Sequence, residues 1–212
     1  MTTRAQERTL STLLIVDYGV GNLRSVQKAF EAVGATARIS GRPADIAAAG
    51  AVVLPGVGAF GDAIGNLRRR GLETPLLEAA RSGKPFFGIC VGMQLLFEQS
   101  DEMGTHAGLG LLPGDVTRFR EGLTVPHMGW NQIEPVGEHP LLRRIAPGSF
   151  AYFAHSYFCR PADERHIIAR TEYGGPFASV VARDNIFGIQ FHPEKSQRVG
   201  LQILQNFAEL VK

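Results

Sequence analysis

The sequence is poor in the features that mark disulfide-bonded, metal-bound and membrane-embedded proteins. It has two cysteines, Cys90 and Cys159, which lie far apart and lack the paired spacing of a zinc site or a disulfide framework. No stretch approaches the roughly 18 apolar residues of a membrane-spanning helix, and the polar segment 1–9 lacks the apolar core of a signal peptide. We therefore expect a cytoplasmic protein with free thiols, no metal and no membrane contact.

The sequence also lacks an excess of either charge. Its 212 residues include 22 basic and 20 acidic ones, a net charge of +2, and this balance gives no reason to expect a nucleic-acid partner. Hydrophobic residues make up 44% and charged residues 20% of the chain, as in ordinary globular domains. Since a domain takes roughly 100–200 residues, we expect a single domain over 11–212 after a disordered leader over 1–10.

Apolar runs alternate with helical patterns in the first half of the chain. Four short runs are typical of buried strands, at 13–16, 36–39, 51–54 and 85–89, and a helix is predicted over 91–97. This alternation indicates βαβ units and a parallel sheet. The second half has closely spaced strand candidates separated by turn signals. We predict an α/β fold with a mostly parallel central sheet flanked by helices and with added antiparallel strands in the second half.

A glycine-flanked cysteine stands where the fourth predicted strand meets the next helix. The segment 88–92 reads Gly-Ile-Cys-Val-Gly, the cysteine version of the nucleophile elbow, in which small residues on both sides permit a sharp turn. Backbone N–H groups at a helix start favour a thiolate. We predict Cys90 as nucleophile and the Val91 N–H as one oxyanion donor. A plain buried cysteine beside flexible glycines is the alternative.

A base for this nucleophile is expected in the segment Phe-His-Pro-Glu at 191–194. Residues i and i+2 of an extended chain point to the same side, so that His192 and Glu194 project together. A carboxylate beside an imidazole fixes its tautomer and stabilises the imidazolium. We predict His192 as the general base and Glu194 as the residue that orients it. A surface turn would explain this tetrapeptide alone, but its pairing with the elbow favours catalysis.

A glycine-rich segment, 55–61, follows the third predicted strand. Ligands bind at the carboxyl ends of strands in open α/β sheets, and glycine lets the backbone approach a ligand closely. The backbone of Val57 or Gly58 is therefore our candidate for the second oxyanion donor, although a simple turn is the alternative. The segment has neither the Gly-Lys-Ser/Thr of a phosphate loop nor the glycine spacing of a dinucleotide site, and we expect no cofactor. Gln94, one helical turn after Cys90, can reach the same pocket.

Together these residues resemble the class I, triad-type glutamine amidotransferases. The segments 88–94 and 191–194 are similar to that family's two signature motifs. More narrowly, the chain resembles the glutaminase subunits of imidazole glycerol phosphate synthases, from about Leu13 to the C-terminus. That narrower resemblance depends on five segments, namely 17–22, 55–60, 93–94, 126–131 and 152–157. It implies a flavodoxin-like fold.

The resemblance implies that L-glutamine is hydrolysed to glutamate and ammonia through a thioester on the cysteine. It also implies that glutamine is held by the side chain of Gln94 and by backbone groups of four residues, Gly56, Gly58, Ser156 and Tyr157. Ammonia would then pass to a cyclase subunit with a (β/α)8 barrel, joined to this chain as a heterodimer, which makes imidazole glycerol phosphate in histidine biosynthesis.

The resemblance further implies that three residues face the cyclase, Asn22, Trp130 and Lys195. Glycines flank Val57, so its peptide can reorient at low cost, and we expect the oxyanion hole to be completed only when the cyclase docks. Two other enzymes stay open, the glutaminase of anthranilate or aminodeoxychorismate synthase and a stand-alone cysteine hydrolase. The former usually has histidine where Met93 stands. A catalytically silent module would have lost a residue of the triad, and this chain has lost none.

Overall fold

The computed structural model describes residues 12–211, so the expected leader over 1–10 lies outside the described residues. The α-helices of the described part are α1 (Leu23–Ala32), α2 (Pro43–Ala48), α3 (Phe60–Arg69), α4 (Glu73–Arg81), α5 (Val91–Gln94) and α6 (Gln197–Leu210). Its strands are β1 (Leu13–Val16), β2 (Ala37–Ser40), β3 (Ala51–Gly56), β4 (Phe86–Cys90), β5 (Phe97–Ser100), β6 (His106–Ala107), β7 (Leu112–Arg118), β8 (His127–Pro135), β9 (Ser149–His155), β10 (Tyr157–Pro161), β11 (Ile167–Glu172), β12 (Pro176–Arg183) and β13 (Ile186–Ile189).

A large sheet forms the centre of the molecule, with the strand order β2-β1-β3-β4-β13-β12-β11-β8-β9. The strands from β2 to β13 run parallel, and the strands from β13 to β9 pair antiparallel. Every residue of β1, β3, β4 and β13 is buried, as expected for parallel strands with helices on both faces. The predicted α/β fold is confirmed.

The position of β13 determines where the functional residues meet. This strand comes late in the chain, yet it lies beside β4, with Gly188 paired to Gly88 and Ile189 to Ile89. Because the two strands run parallel, the chain after Ile189 emerges beside the chain after Ile89. The carboxyl ends of β3, β4 and β13 thus form one edge of the sheet, where α/β proteins bind their ligands.

The helix predicted over 91–97 was wrong in its second half, because α5 ends at Gln94. Leu95, Leu96 and Phe97 are fully buried, so this run has no polar face for a surface helix. Their carbonyl groups accept hydrogen bonds from the backbone N–H groups of 109–112 instead. The chain continues into a second sheet, of order β10-β7-β5-β6, that the sequence did not predict.

Helix α6 covers one face of the large sheet through an aromatic cluster. Its Phe207 stacks on Phe87 of β4 with ring centroids 4.6 Å apart, and it meets Phe30 of α1 edge-on at 6.3 Å. Such aromatic pairs contribute beyond the area they bury. The cluster therefore packs against β4, the strand that ends in Cys90. No helix among residues 12–211 is long and apolar enough to cross a membrane.

Candidate active site

Cys90 occupies a strained position between strand and helix. It is the last residue of β4 and the N-cap of α5, with φ 56° and ψ −114°, a conformation that costs energy for any residue except glycine. Gly88 and Gly92, two residues before and after Cys90, have no room for a side chain. A Cβ on Gly88 would lie 2.6 Å from the Gly92 carbonyl oxygen, and one on Gly92 would lie 1.7 Å from that of Leu54. This is the geometry of a nucleophile elbow.

His192 and Glu194 follow β13 and reach the elbow from the neighbouring strand. The Nδ1–H of His192 donates to Oε1 of Glu194 at 3.1 Å, and the two side chains are only 7% and 3% exposed. His192 also lies close enough to Cys90 for the sulfur to raise the pKa of the imidazole. The three residues predicted as a triad therefore lie together. The other carboxylate oxygen of Glu194 is buried without a hydrogen-bond partner among the described residues. His192 is therefore the group that compensates the charge of this carboxylate.

The electrostatics favour a charged His192. Burial lowers the pKa of His192, but the hydrogen bonds and negative charges of Cys90 and Glu194 outweigh burial and raise that pKa to about 10. An imidazolium beside the sulfur stabilises a thiolate, which is the reactive form of a cysteine. At neutral pH His192 is therefore charged, with the Cys90 sulfur on one side and the Glu194 carboxylate on the other.

A cavity of about 180 Å³ opens in front of the elbow. The predicted site residues that line it are Gly58, Cys90, Val91, Gln94, Ser156 and Tyr157. They come from three places that are distant in sequence: the loop after β3, the elbow, and the junction of β9 and β10. Among residues 12–211, no three His, Cys, Asp or Glu side chains are grouped so that they could hold a metal ion.

The glycine-rich loop is anchored at its start and open at its end. Tyr18 donates its hydroxyl hydrogen to the Pro55 carbonyl at 2.7 Å, and a Cβ on Gly56 would come within 2.7 Å of the Tyr18 hydroxyl. Gly56 therefore packs under the elbow rather than lining the cavity. Gly58 lines the cavity and has φ +87°, whereas the Val57 side chain is 40% exposed. The role of the Val57 peptide as a donor stays a prediction.

Two residues of the site were missed in the sequence. Glu102 lines the cavity, and its Oε2 accepts a 2.6 Å hydrogen bond from the backbone N–H of Phe60. It lies in a loop after β5 with no motif around it, so no sequence signal was available. Gln190 is fully buried and its Nε2 lies 3.8 Å from Cys90 Sγ. A polar residue inside the apolar run 186–191 was a signal that could have found it.

A chain of hydrogen bonds holds the Tyr157 backbone from behind. A carbonyl only accepts, so Nδ1–H of His155 donates to the Tyr157 carbonyl at 2.8 Å. Nε2 of His155 then accepts from Nδ1 of His127 at 3.1 Å, and Nε2 of His127 accepts from Asn131 at 3.1 Å. Burial lowers the pKa of His127 to about 4 and that of His155 to about 3. Both rings are thus neutral at neutral pH, as this pattern requires.

The three residues expected to face a partner are exposed near the same sheet edge. Trp130 is 47% exposed and meets the Tyr152 ring edge-on at 6.0 Å. The Lys195 ammonium lies 5.4 Å from the centre of that ring, within the range of a cation–π contact. Asn22 is exposed at the start of α1, after the end of β1. Trp130 and Lys195 are thus brought together around Tyr152.

Comparison with known proteins agrees with this geometry. Residues 14–210 match the family described as "Glutamine amidotransferase class-I". The chain belongs to that family, the class I glutamine amidotransferases. Among solved structures, a "Crystal structure of glutamine amidotransferase" superimposes with a TM-score of 0.75 at 19% identity and covers 94% of this chain and 98% of its own. The "Structure of PurLQS from Thermotoga maritima" has a TM-score of 0.75 at 20% identity, with coverages of 95% and 98%. At these identities the two structures establish the fold alone.

Curated relatives narrow the assignment. The chain is 56% identical to "Imidazole glycerol phosphate synthase subunit HisH" of Salinibacter ruber, over 92% of this chain and 93% of that protein. It is 50% identical to the HisH subunit of Moorella thermoacetica, with coverages of 94% and 95%, and 53% identical to that of Rhodopirellula baltica, with coverages of 92% and 96%. Within the class I amidotransferases, the chain groups with these HisH subunits.

Proposed function

We propose that this protein is the glutaminase subunit of an imidazole glycerol phosphate synthase in histidine biosynthesis. It hydrolyses L-glutamine to glutamate and ammonia, with Cys90, His192 and Glu194 as its catalytic triad. The observation that carries the proposal is the strained elbow, which presents Cys90 to a cavity while His192, held by Glu194, lies beside it after the adjacent strand. The names of the relatives at about 50% identity supply the pathway.

The first half of the reaction releases ammonia. The Cys90 thiolate attacks the carboxamide carbon of glutamine, a C–S bond forms, and the carbonyl electron pair moves onto oxygen. N–H groups of Val91 and of the loop at Val57–Gly58 stabilise this oxyanion. The His192 imidazolium then gives its proton to the amide nitrogen as the C–N bond breaks. Ammonia leaves, His192 is neutral, and glutamate remains bound as a thioester.

The second half restores the enzyme. Neutral His192 takes a proton from a water molecule as the water oxygen attacks the thioester carbon. The tetrahedral intermediate collapses, the C–S bond breaks, and the sulfur leaves as a thiolate. The pair of His192 imidazolium and Cys90 thiolate is thereby regenerated. The product side chain is released as a carboxylic acid, which loses its proton to solvent. Glu194 orients His192 throughout and stabilises its charged form.

Free glutamine carries an α-ammonium group that needs an acceptor. Glu102 supplies a carboxylate in the wall of the cavity, and charge-assisted hydrogen bonds of this kind are among the stronger ones. We assign Glu102 to the α-ammonium group, next to the predicted contacts from Gln94, Ser156 and Tyr157. The hydrogen bond that Glu102 accepts from the Phe60 N–H fixes the carboxylate in place, so that its ordering costs little when the substrate binds.

The ammonia is consumed by a cyclase subunit that docks beside the cavity. Met128, Trp130 and Phe150 are 64%, 47% and 52% exposed. Strand register puts them on one side of the β8–β9 pair, since Trp130 faces Tyr152 and Gln132 faces Phe150. Exposed apolar groups of this kind mark interaction sites. Met128 also lines the cavity, so this surface, the β8–β9 apolar face, adjoins the site that makes ammonia.

The proposal is tested by measuring glutamine hydrolysis with and without the partner. The purified chain is assayed alone and with a (β/α)8-barrel cyclase subunit that carries its nucleotide ligand. We expect slow hydrolysis alone and a gain of roughly 10²–10³ on docking, the value of one oxyanion donor. A glutamine-like electrophile should label Cys90 and leave the buried Cys159 untouched in mass spectrometry. Full activity of the isolated chain, or no response to the cyclase, would contradict the partner assignment.

A second test addresses the pathway. Expressed in the cytoplasm of a bacterial strain that lacks its own glutaminase subunit for histidine synthesis, the chain should restore growth. The Cys90→Ala variant should fail to do so. The same chain should not restore a strain that lacks the glutaminase of anthranilate synthase. Growth of the second strain and not the first would point to the other amidotransferase that shares this fold.

A further inference from the structure

A buried carboxamide, that of Gln190, joins the nucleophile to the substrate-binding side. Gln190 follows β13, is fully buried, and is held by a 2.9 Å hydrogen bond from its backbone N–H to the Ser179 carbonyl. Its Nε2 lies 3.8 Å from Cys90 Sγ, and its Oε1 accepts a 3.2 Å hydrogen bond from Gln94 Nε2. A buried carboxamide is costly unless both of its ends are bonded, and both partners here belong to the site.

The hydrogen bonds determine which end of Gln190 faces the sulfur. Gln94 Nε2 donates to the Tyr157 carbonyl at 3.0 Å and to Gln190 Oε1 at 3.2 Å. Those two bonds use both hydrogens of the Gln94 amide. Turning Gln190 around would bring two NH₂ groups together and put its carbonyl oxygen against the sulfur. The amide N–H of Gln190 is therefore the end that points at Cys90.

We propose that Gln190 is a further catalytic residue, whose Nε2–H donates to the Cys90 sulfur and stabilises its thiolate form. This inference rests on the proposed glutaminase function. The donor acts at two stages: it favours the thiolate that attacks glutamine, and it stabilises the thiolate that leaves when the thioester is hydrolysed. Gln94 keeps the donor aimed, and because both its hydrogens are used, Gln94 presents its carbonyl oxygen to the cavity that it lines.

The test measures how readily Cys90 is alkylated by iodoacetamide as a function of pH, with the modified peptide quantified by mass spectrometry. In Gln190→Met, which has similar length and no donor, we expect the alkylation midpoint to rise by about one pH unit. This is roughly a tenfold loss of thiolate below the midpoint. Gln27→Met is the matched control, since Gln27 donates to the Ala37 carbonyl far from the site. It should leave the midpoint unchanged.

Kinetics in the complex with the cyclase separate the roles of the two glutamines. Gln190→Met should lower kcat about tenfold, whereas Gln94→Met should chiefly raise KM and move the alkylation midpoint less than Gln190→Met, because the Gln190 donor is still present and only its aim is loosened. An unchanged midpoint in Gln190→Met would overturn the proposal, and would reduce Gln190 to a packing partner of Gln94. A wild-type complex that fails to hydrolyse glutamine would instead refute the proposed function, so the two failures are distinguishable.

A second measurement needs no change at Gln190. In the isotopically labelled wild-type chain, the side-chain NH₂ resonances of Gln190 should shift with pH at the same midpoint as alkylation. That step should vanish in Cys90→Ala, because the titrating sulfur is gone. Resonances that stay constant through the midpoint in the wild type would overturn the hydrogen bond, whatever the stability of the Gln190 variant.

Discussion

Replacing Glu194 by glutamine tests how much of the reaction depends on a charge behind the base. The carboxylate accepts a 3.1 Å hydrogen bond from His192, and both side chains are almost fully buried. A hydrogen bond to a charged group contributes about 1.5–3 kcal/mol. Expressed fully in the transition state, this is a loss of roughly 10- to 150-fold in kcat, at about 1.36 kcal/mol per factor of ten. His192→Ala removes the proton carrier itself and should cost more, up to about 10⁴-fold.

Glu194→Gln should also change how activity and stability depend on pH, and the direction of the change follows from the pKa of His192. The pKa of His192 is raised from 6.5 to about 10. The stabilising contribution of its charged form is therefore fully present below 6.5 and is lost as the pH rises through about 10. Without the Glu194 charge, burial opposes a weaker set of partners. The alkaline limit of activity and stability should then move to lower pH.

The assay is the kcat for glutamine hydrolysis across pH in the complex with the cyclase, and thermal unfolding reports on the fold. Glu164→Gln is the control, because that carboxylate is 82% exposed and lies outside the site. It should leave both profiles unchanged. The assigned roles are refuted if Glu194→Gln is more damaging than His192→Ala, or if its alkaline limit does not move.

Three further changes test other parts of the structure. Gly92→Ala forces a Cβ against the Leu54 carbonyl and should cost about 3 kcal/mol, or roughly 6–12 °C in Tm, whereas Gly65→Ala meets only a flexible arginine end and should be neutral in the same melts. Glu102→Gln should raise the KM for glutamine roughly 10- to 100-fold with little change in kcat; an unchanged KM would remove Glu102 from the ammonium site. Trp130→Ala should weaken cyclase binding by about 2 kcal/mol or more, near 30-fold in Kd by calorimetry, and unaltered binding would move the interface elsewhere.

The sequence alone was sufficient to predict those features that depend on residues close together in the chain. The elbow could be predicted because Cys90 needs glycine two residues away on each side, and the structure gives the steric reason for both. The pairing of His192 with Glu194 was predicted correctly, but from an extended chain, whereas the structure makes the contact through a 3-10 turn over Pro193–Lys195. The parallel strands of the first half were readable because strands buried on both faces appear as short continuous apolar runs. Each of these features depends on residues within a few positions of one another.

Only the tertiary structure decided those features that depend on pairing between strands far apart in the sequence. The insertion of β13 beside β4 brings residues about 100 positions apart into contact, and no local pattern encodes that neighbour. The same holds for the second sheet, where β5 pairs with β7 because 95–97 is buried on every side and cannot form a surface helix. Glu102 and Gln190 join the site only through these pairings. Their chemistry is ordinary in the sequence, and it becomes specific because long-range strand order places a carboxylate at the cavity and an amide at the sulfur.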